Sequence, residues 1–248
     1  MTILDIDLDF FVTPIKHWGA TEERLDADEF KVEDAASAIE FLEKQCRMPI
    51  GPGIPGAVFE NHDELFDYGL ANWHEPVHLI HVDAHADIGG GFTPCWHYVT
   101  TEFAHQDSRG RRFPKRGSEF LNCGNFIVFL AGCGLLKEIT FVSHPNWSDD
   151  YNPIYMKGFD PSSEAIQLKR FDAEAVADAG ITKPLYLIPH EVEDAIPMRR
   201  IPREEFQLEM VPDAVVLTRS PGYTPSSADA LFDEIARRIK MGKTSRHS

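Results

Sequence analysis

Short apolar segments that alternate with segments of helical pattern constrain the fold of this chain more than any other feature. The apolar segments are ILDIDL (3–8), VHLIHVD (77–83), EITFVSH (138–144), LYLIP (185–189) and AVVLTRSP (214–221). Segments 33–46, 125–136 and 227–240 have the apolar content and spacing of helices. Strands separated by helices form mainly parallel sheets that are covered on both faces. We therefore predict an α/β fold with three layers, α/β/α.

No feature of the sequence divides the chain into separate domains. The Pro- and Gly-rich segment MPIGPGIPGA (48–57) predicts a turn that ends the first helix, and GKTSRHS (242–248) is typical of a disordered tail. We find no internal repeat and no linker. At 248 residues the chain is long enough for one substantial α/β domain and short for two. We predict a single domain over residues 1–248.

The composition argues against several classes of protein. A formal net charge of −16 argues against nucleic acid as a partner. No apolar run reaches membrane-spanning length, and the first residues, MTILDIDLDFF, lack the basic start of a signal peptide. The four cysteines contain no CxxC pair. We expect a cytoplasmic protein with no membrane partner, and we leave its oligomeric state open.

Acidic residues and histidines gather at the ends of the predicted strands. They stand at alternate positions of DIDLD and HVDAHAD or within ENHDE, and they are Asp5, Asp7, Asp9, His62, Asp83, His85 and Asp87. Alternate positions of an extended chain share one face, and ligand sites of open α/β sheets lie outside the carboxyl ends of the strands. Unpaired, these carboxylates would repel one another and raise one another's pKa values. One aspartate at a strand end is typically a helix cap, but three such ends together indicate bound divalent cations.

The types of ligand indicate which cations. Carboxylates and imidazoles without a thiolate favour Mn²⁺ or Fe²⁺ over a structural zinc site. Six protein ligands exceed the need of one catalytic ion, whereas two ions that share a water molecule form a common hydrolytic site. We therefore predict two Mn²⁺ ions per chain and a metal-dependent hydrolase.

Several motifs resemble those of the arginase/agmatinase (ureohydrolase) superfamily. HVDAHAD is similar to its DAHxD metal motif, DLD to its DxD motif and ENHDE to its GGDH segment. Together with NCGNFI, FVSHPNW and SPGYTP, they more closely resemble a family that includes bacterial peptide arginases, which convert arginine side chains of ribosomally made precursor peptides to ornithine and urea. The resemblance extends from residue 3 to about residue 225. It implies an arginase-like fold and a substrate that is a peptide or a small guanidine.

The resemblance also implies a role for each polar residue. The implied metal ligands are His62 and Asp87 on one ion, Asp9 and His85 on the other, and Asp7 and Asp83 as bridges between both. Asp5, two positions before the DxD pair, would support the ligands from behind. Asn125, Trp147 and Tyr223 lie in family-like segments near the expected mouth of the site, where they would contact substrate or serve in packing.

Two departures from the superfamily pattern affect these expectations. DxD follows DAHxD in ordinary arginases but opens this chain, which implies a circularly rearranged strand order. The glutamate that holds the guanidinium in arginases is absent from VVLTRSPGY. Glu191 or Glu193 in PHEVED is the alternative carboxylate, unless the substrate is not a guanidine.

The proton-shuttle histidine of arginases has no clean counterpart either. Cys123, in NCGNF, stands where that histidine would be expected. His144, at the end of FVSH, is the first candidate for the general acid and His97 is the second. A lone histidine is more often structural, so both assignments depend on where the fold places the ring.

Two other functions fit the same residues. An amide deacetylase of the same fold would use one zinc ion and fewer ligands, so the number of bound ions separates it from a binuclear enzyme. A non-catalytic binding protein would keep the metal for stability without turnover. Urea release from arginine-containing peptides separates that protein from a peptide arginase.

Overall fold

A computed structural model describes residues 1–17, 23–89, 95–179 and 187–241. The strands are β1 (Thr2–Asp7), β2 (Val12–Thr13), β3 (Lys31–Val32), β4 (Ile54–Phe59), β5 (Val77–Asp83), β6 (Leu136–Ser143), β7 (Ala165–Ile166), β8 (Lys169–Arg170), β9 (Glu191–Val192), β10 (Ile196–Pro202), β11 (Ala214–Thr218) and β12 (Ile239–Met241). The helices are α1 (Ala35–Lys44), α2 (Glu64–Asn72), α3 (Cys95–Thr101), α4 (Phe126–Gly132), α5 (Ala173–Ala179) and α6 (Asp229–Ala236).

Eight of these strands form one sheet in the order β12-β4-β11-β1-β5-β6-β10-β7. Every neighbouring pair is parallel except β10 and β7, which are antiparallel. The strand nearest the start of the chain, β1, lies in the middle of the sheet between β11 and β5. The predicted α/β fold with a mainly parallel sheet is therefore confirmed.

The alternation of side chains along the strands produces two hydrophobic cores, one on each face of the sheet. Ile3 of β1 belongs to the core that covers α2, α3 and α4. Leu4 and Ile6 belong to the opposite core, with α1 and α6. Each of these helices turns its apolar side toward the sheet, which gives the three layers. Asp5 and Asp7 point to the same face of the sheet as Ile3. Strand β1 therefore places two carboxylates at positions where apolar core residues would be expected.

Local signals explain where the helices begin and end. Asp34 caps α1, because its carboxylate accepts a hydrogen bond from Ser37 N. The predicted helix over 125–136 ends at Gly132, two residues before Gly134, which has a φ of +70°. Glycine adopts this left-handed conformation without the steric cost of a side chain, so the chain leaves the helix there and enters β6.

Three predicted segments differ from the structure, and one long strand was not predicted. The predicted turn over 48–57 gives way to β4 from Ile54 onward, and the predicted helix over 227–240 ends at Ala236 because Ile239 pairs with Ile54 at the edge of the sheet. The strand β10 was not predicted. Of the predicted strand 185–189, residues 185 and 186 lie outside the described residues, and 187–189 form no strand. The predicted tail, 242–248, also lies outside them.

None of the helices in the described part of the chain is long and apolar enough to cross a membrane.

A tight contact between β4 and β11 provides a test of the strand order. Gly56 of β4 pairs with Val215 of β11, and a Cβ atom at this position would stand 1.7 Å from the Val215 carbonyl oxygen. We predict that Gly56→Ala lowers the free energy of unfolding by about 3 kcal/mol, because the two strands must separate. Chemical denaturation measures the change. Gly51→Ala is the control, since nothing lies within 4 Å of its Cβ, and equal effects of the two substitutions would contradict the β4–β11 pairing.

Candidate metal centre

All six residues predicted as metal ligands line one cavity at the carboxyl ends of the strands. The cavity has a volume of about 410 Å³. Asp7 is the last residue of β1, and Asp83 is the last residue of β5. His62 lies between the end of β4 and the start of α2. These strands are parallel, so their ends meet at the same edge of the sheet. The fold therefore brings the three separate motifs together.

Turns, rather than a continued strand, place the remaining ligands. The chain leaves β1 in a 3-10 turn, Leu8–Phe11, in which the Asp7 carboxylate accepts a hydrogen bond from Asp9 N at 3.0 Å. After β5 the Asp83 carboxylate accepts a hydrogen bond from His85 N at 2.7 Å, and Asp87 has a φ of +48°. The expectation that each motif continues as an extended chain with one face was wrong beyond Asp7 and Asp83. The turns nevertheless return Asp9, His85 and Asp87 to the cavity.

The first group of ligands surrounds the Nδ1 atom of His62. This nitrogen lies 3.0 Å from Asp7 Oδ2, 3.1 Å from Asp83 Oδ2 and 3.1 Å from Asp87 Oδ2. One nitrogen carries at most one proton, so it cannot donate to three oxygens. Both His62 Nδ1 and Asp83 Oδ2 are buried without a hydrogen-bond partner. Buried polar atoms are rarely left in this state, and a cation among these four side chains would satisfy them.

The second group consists of Asp9, Asp83 and His85. The His85 Nδ1 atom lies 3.0 Å from Asp9 Oδ2 and 3.6 Å from Asp83 Oδ1. Its other ring nitrogen, Nε2, lies 2.9 Å from the backbone oxygen of Lys16 and donates its proton to it. The tautomer that this bond selects leaves the Nδ1 lone pair directed at the two carboxylates, which is the arrangement a metal-binding histidine needs.

Asp83 belongs to both groups. Its Oδ2 faces His62 in the first group, and its Oδ1 faces His85 in the second. Asp7, which the resemblance implied as a second bridge, belongs only to the first of them. Its Oδ1 accepts the Asp9 N–H, and its Oδ2 accepts the hydroxyl proton of Ser220. The ligand atoms of Asp7, His62 and Asp83 lie within 4.8 Å of one another, and so do those of Asp9, Asp83 and His85. Buried histidine and aspartate side chains can therefore hold a metal ion here.

Asp5 and His81 support the first group from behind. The two oxygens of Asp5 lie 3.0 and 3.1 Å from His62 Nε2, and Oδ2 also lies 2.8 Å from His81 Nδ1. Asp5 is fully buried. By accepting the Nε2 proton it fixes the His62 ring with Nδ1 toward the cavity, and a carboxylate in this position also increases the basicity of the ring. Its position agrees with the supporting role expected from the sequence.

The electrostatics of the cluster show the strain of buried like charges. Burial and the charge of Asp83 raise the pKa of Asp87 to about 7. Burial, together with Asp7 and Asp83, holds the pKa of Asp9 well above its usual value. Burial lowers the pKa of His62, but Asp5 and the other carboxylates outweigh it, so this pKa lies well above the ordinary value. The crowding of buried carboxylates thus favours the protonated forms of these groups.

The two histidines predicted as general acid lie outside this cavity. His144 is buried in a second cavity of about 330 Å³, where its Nδ1 accepts the Asn146 N–H and its Nε2 lies 3.3 Å from Thr13 Oγ1. Burial, assisted by the charge of Arg203, lowers the pKa of His144 to about 4. His97 lies on α3 beside Thr101 and does not line either cavity. Neither ring is placed to protonate a group bound at the cluster.

The three predicted substrate contacts have different positions. Tyr223 lines the cavity, with its ring centre 5.3 Å from that of His85. Asn125 lines it as well, but its amide is occupied by Asn122 N and by the carbonyl oxygen of Phe120. Trp147 does not line it. Tyr223 is therefore the one of the three that lines the cavity without having its side chain bound to backbone groups as Asn125 does.

Glu191 and Glu193, the predicted alternative carboxylates for the guanidinium, lie elsewhere. Glu193 pairs with Arg111 and Arg170, and Glu191 also pairs with Arg170. Neither glutamate lines the cavity. Both are neutralised by these arginines, so they do not provide the missing carboxylate.

Several cavity residues were not predicted from the sequence, and three of them carry side chains that bear on the site: His17, Asp150 and Ser220. All three lie in loops beyond strand ends, where no periodic pattern distinguishes a cavity residue from a surface residue. Ser220 has a φ of +47°, a left-handed backbone conformation that the sequence SPG does not predict. The signal for Asp150 was its place in SHPNWSDD, a few residues beyond the end of β6.

The shared position of Asp83 generates a prediction about metal content. We expect the protein reconstituted with Mn²⁺ to retain about two ions per chain, and Asp83→Asn to lose both, because this substitution removes a ligand from each group. Asp9→Asn should lose only one ion. Elemental analysis after dialysis measures the content. Asp28→Asn, at an exposed aspartate far from the cavity, is the matched control, and an Asp83→Asn protein that keeps two ions would contradict the shared role.

The position of Asp5 generates a second prediction. Asp5→Asn should weaken the binding of the ion at the His62 group by about 10- to 100-fold, because the ring loses the carboxylate that orients it. The ion at the His85 group should be unaffected, since that ring is held by the Lys16 carbonyl oxygen. Calorimetric titration with Mn²⁺ resolves the two affinities. Equal weakening at both groups would show a general disturbance of the fold instead.

Comparisons with known proteins give no match. No protein-family model matches the chain, no curated protein matches it, and no solved structure matches it. The function of this chain is therefore inferred from the cavity, from the ligand groups around His62 and His85, and from the motifs of the sequence.

Proposed function

We propose that this chain is a binuclear manganese hydrolase of the arginase type, which converts arginine side chains of a peptide to ornithine and releases urea. One observation supports the proposal most strongly. Asp83 presents one oxygen to each of two ligand groups, and its Oδ2 and His62 Nδ1 are buried without hydrogen-bond partners. Two cations joined by a shared carboxylate account for both facts.

The ligand set supports manganese as the metal. The two ligand groups together contain four carboxylates and two imidazoles, and no cysteine belongs to either group. Oxygen-rich sites of this kind suit Mn²⁺ better than Zn²⁺. When bound, the two ions lower the pKa of a shared water, so that a hydroxide nucleophile is available near neutral pH. The protein's own contribution is to hold the ligands at fixed positions through Asp5, Lys16 and Ser220.

The position of β1 supports the arginase-like reading of the fold. We infer a circularly rearranged strand order, in which β1 occupies the place of a strand that comes late in ordinary arginases. β1 lies between β11 and β5, so the DxD-like and DAHxD-like motifs end neighbouring strands although 76 residues separate them. Parallel sheets permit this, because order in space is independent of order in sequence.

The lining of the cavity favours a peptide over a free amino acid. Free arginine has an α-carboxylate, which a site for the amino acid would bind with a positively charged side chain. In the described part of the chain, the cavity lining contains neither lysine nor arginine. Its neutral polar residues, such as Ser118, Asn122 and Tyr223, suit the uncharged backbone of a peptide instead.

We propose His17 for proton delivery, in place of His144 and His97. His17 lines the cavity beside His85, with ring centres 5.9 Å apart. It is exposed, so it can exchange protons with solvent. In the reaction a water oxygen adds to the guanidinium carbon, the bond from this carbon to the side-chain nitrogen breaks, and a proton goes to the departing amine of ornithine.

A reducing compartment accords with this function. Cys46, Cys123 and Cys133 form no disulfide. We therefore propose a cytoplasmic location, as precursor peptides would require.

The function is tested by urea release. We predict that the Mn²⁺-loaded protein hydrolyses an internal arginine of a peptide at least about tenfold more efficiently, by kcat/KM, than free L-arginine, a difference of roughly 1.4 kcal/mol in transition-state stabilisation. Colorimetric urea detection and mass spectrometry of the peptide measure both rates, and Asp83→Asn is the inactive control.

The other outcomes identify the alternatives. Equal efficiency on both substrates would indicate an ordinary ureohydrolase. Removal of an acyl group from an acylated lysine peptide, with one ion per chain and no urea, would indicate the deacetylase. Two bound ions with no turnover of either substrate would indicate a non-catalytic binding protein.

A further inference from the structure

Asp150 is the carboxylate in the cavity that the metal groups leave unused. Among the described residues, five aspartates line the cavity, and four of them belong to the ligand groups of His62 and His85. Asp150 belongs to none. It lies in the segment that follows β6 and is partly buried. Its role therefore differs from that of the other four.

Neutral hydrogen-bond donors hold Asp150 in place. Its Oδ2 accepts the Ala86 N–H at 3.1 Å, and its Oδ1 accepts the Trp147 indole N–H at 2.9 Å. Each oxygen keeps a further lone pair, since a carboxylate oxygen accepts two hydrogen bonds. In the described part of the chain, no lysine, arginine or histidine lies within ion-pair distance of Asp150. The Asp150 carboxylate thus lies in the cavity wall without an ion-pair partner among the described residues.

The location of this charge relates it to the metal groups. Ala86 stands between the ligands His85 and Asp87, so the hydrogen bond from its N–H fixes Asp150 beside them. Two divalent cations would neutralise the four aspartates of the ligand groups. The charge of Asp150 would then remain, next to the place where a substrate reacts.

We infer that Asp150 binds the positively charged end of the substrate side chain, and this inference rests on the proposed function of the cavity. A guanidinium presents paired N–H donors on one edge, which match the two carboxylate oxygens. Asp150 would thereby supply the carboxylate that Glu191 and Glu193 do not. It would also give the cavity a preference for a cationic side chain over a neutral one of similar length.

Trp147 acts on the substrate through Asp150. Its indole ring lies outside the cavity lining and donates to Asp150, while the guanidinium carbon of Arg200 lies 4.9 Å from the ring centre. Arg200 in turn donates to the Ser143 hydroxyl at the end of β6. Trp147 is thus a positioning residue that holds the Asp150 carboxylate in one orientation.

The test compares the binding of two peptides that differ in one side chain. One peptide carries lysine at the reacting position. The other carries norleucine, whose side chain has the same carbon chain but no terminal ammonium group. Lysine has no guanidinium carbon, so binding is measured without turnover. Isothermal titration of the metal-loaded protein gives both dissociation constants. We expect the wild type to bind the lysine peptide at least about tenfold more tightly, equivalent to roughly 1.4 kcal/mol.

The variants locate that preference. Asp150→Asn should bring the ratio of the two dissociation constants close to one while two ions remain bound. Asp149→Asn, at the neighbouring exposed aspartate, should keep the wild-type ratio. A wild-type ratio near one, or an unchanged ratio in Asp150→Asn, would overturn the inference.

A second variant covers the case in which Asp150→Asn loses its metal or fails to fold. Trp147→Phe keeps the carboxylate but removes the indole N–H that orients it, so the ratio should fall by about threefold or more with the metal retained. An unchanged ratio in this variant would then count against the inference.

These outcomes are separate from those of the proposed function. A protein that prefers the lysine peptide through Asp150 but releases no urea from the arginine peptide would retain the inference and lose the arginase activity. A protein that releases urea while Asp150→Asn binds both peptides as the wild type does would retain the activity and lose the inference.

Discussion

The repulsion among carboxylates buried at the ends of neighbouring strands is the constraint on which the rest of this structure depends. Asp7, Asp83 and Asp87 converge on a single nitrogen of His62, and Asp9 stands next to them. Burial of charge is costly unless the charge is paired, because the protein interior solvates ions poorly. The surrounding structure supplies partial compensation through the Ser220 hydroxyl and the backbone N–H groups of Asp9 and His85. Cations would supply the remainder.

The central part of the fold could be predicted from the sequence because its strands are short apolar runs. Strands β1, β5, β6 and β11 consist mainly of buried residues, and each was recognised. β10 was missed because its sequence, IPMRRIP, contains two prolines and two arginines, and most of its side chains remain outside the core. What identifies it as a strand is its pairing with β6, which is a contact between distant parts of the chain.

The residues of the candidate site also fall into two kinds, those that a short sequence motif predicts and those that distant contacts place. The residues of HVDAHAD and DIDLD were found because their spacing on a strand end is visible in a short window of sequence. His144 illustrates the limit, since its position after a strand resembles that of a site residue, yet its ring turns toward Thr13 and into a different cavity. Asp150 and His17 enter the cavity through loops whose course depends on contacts with Ala86 and with His85. Such contacts join residues 64 or more positions apart, and no local pattern encodes them.

The central place of β1 has a consequence for the order in which the molecule can assemble. Strand β1 leaves the ribosome before its two neighbours at residues 77–83 and 214–218, and Asp7 meets Ser220 across a sequence separation of 213 residues. At translation rates of about 5–20 residues per second, β1 waits on the order of ten to forty seconds for β11. Contacts between such distant residues also slow folding, because a long loop must close before they stabilise anything. The central strand therefore lacks one of its two neighbours until late in synthesis, and an apolar strand that bears aspartates must remain soluble until then.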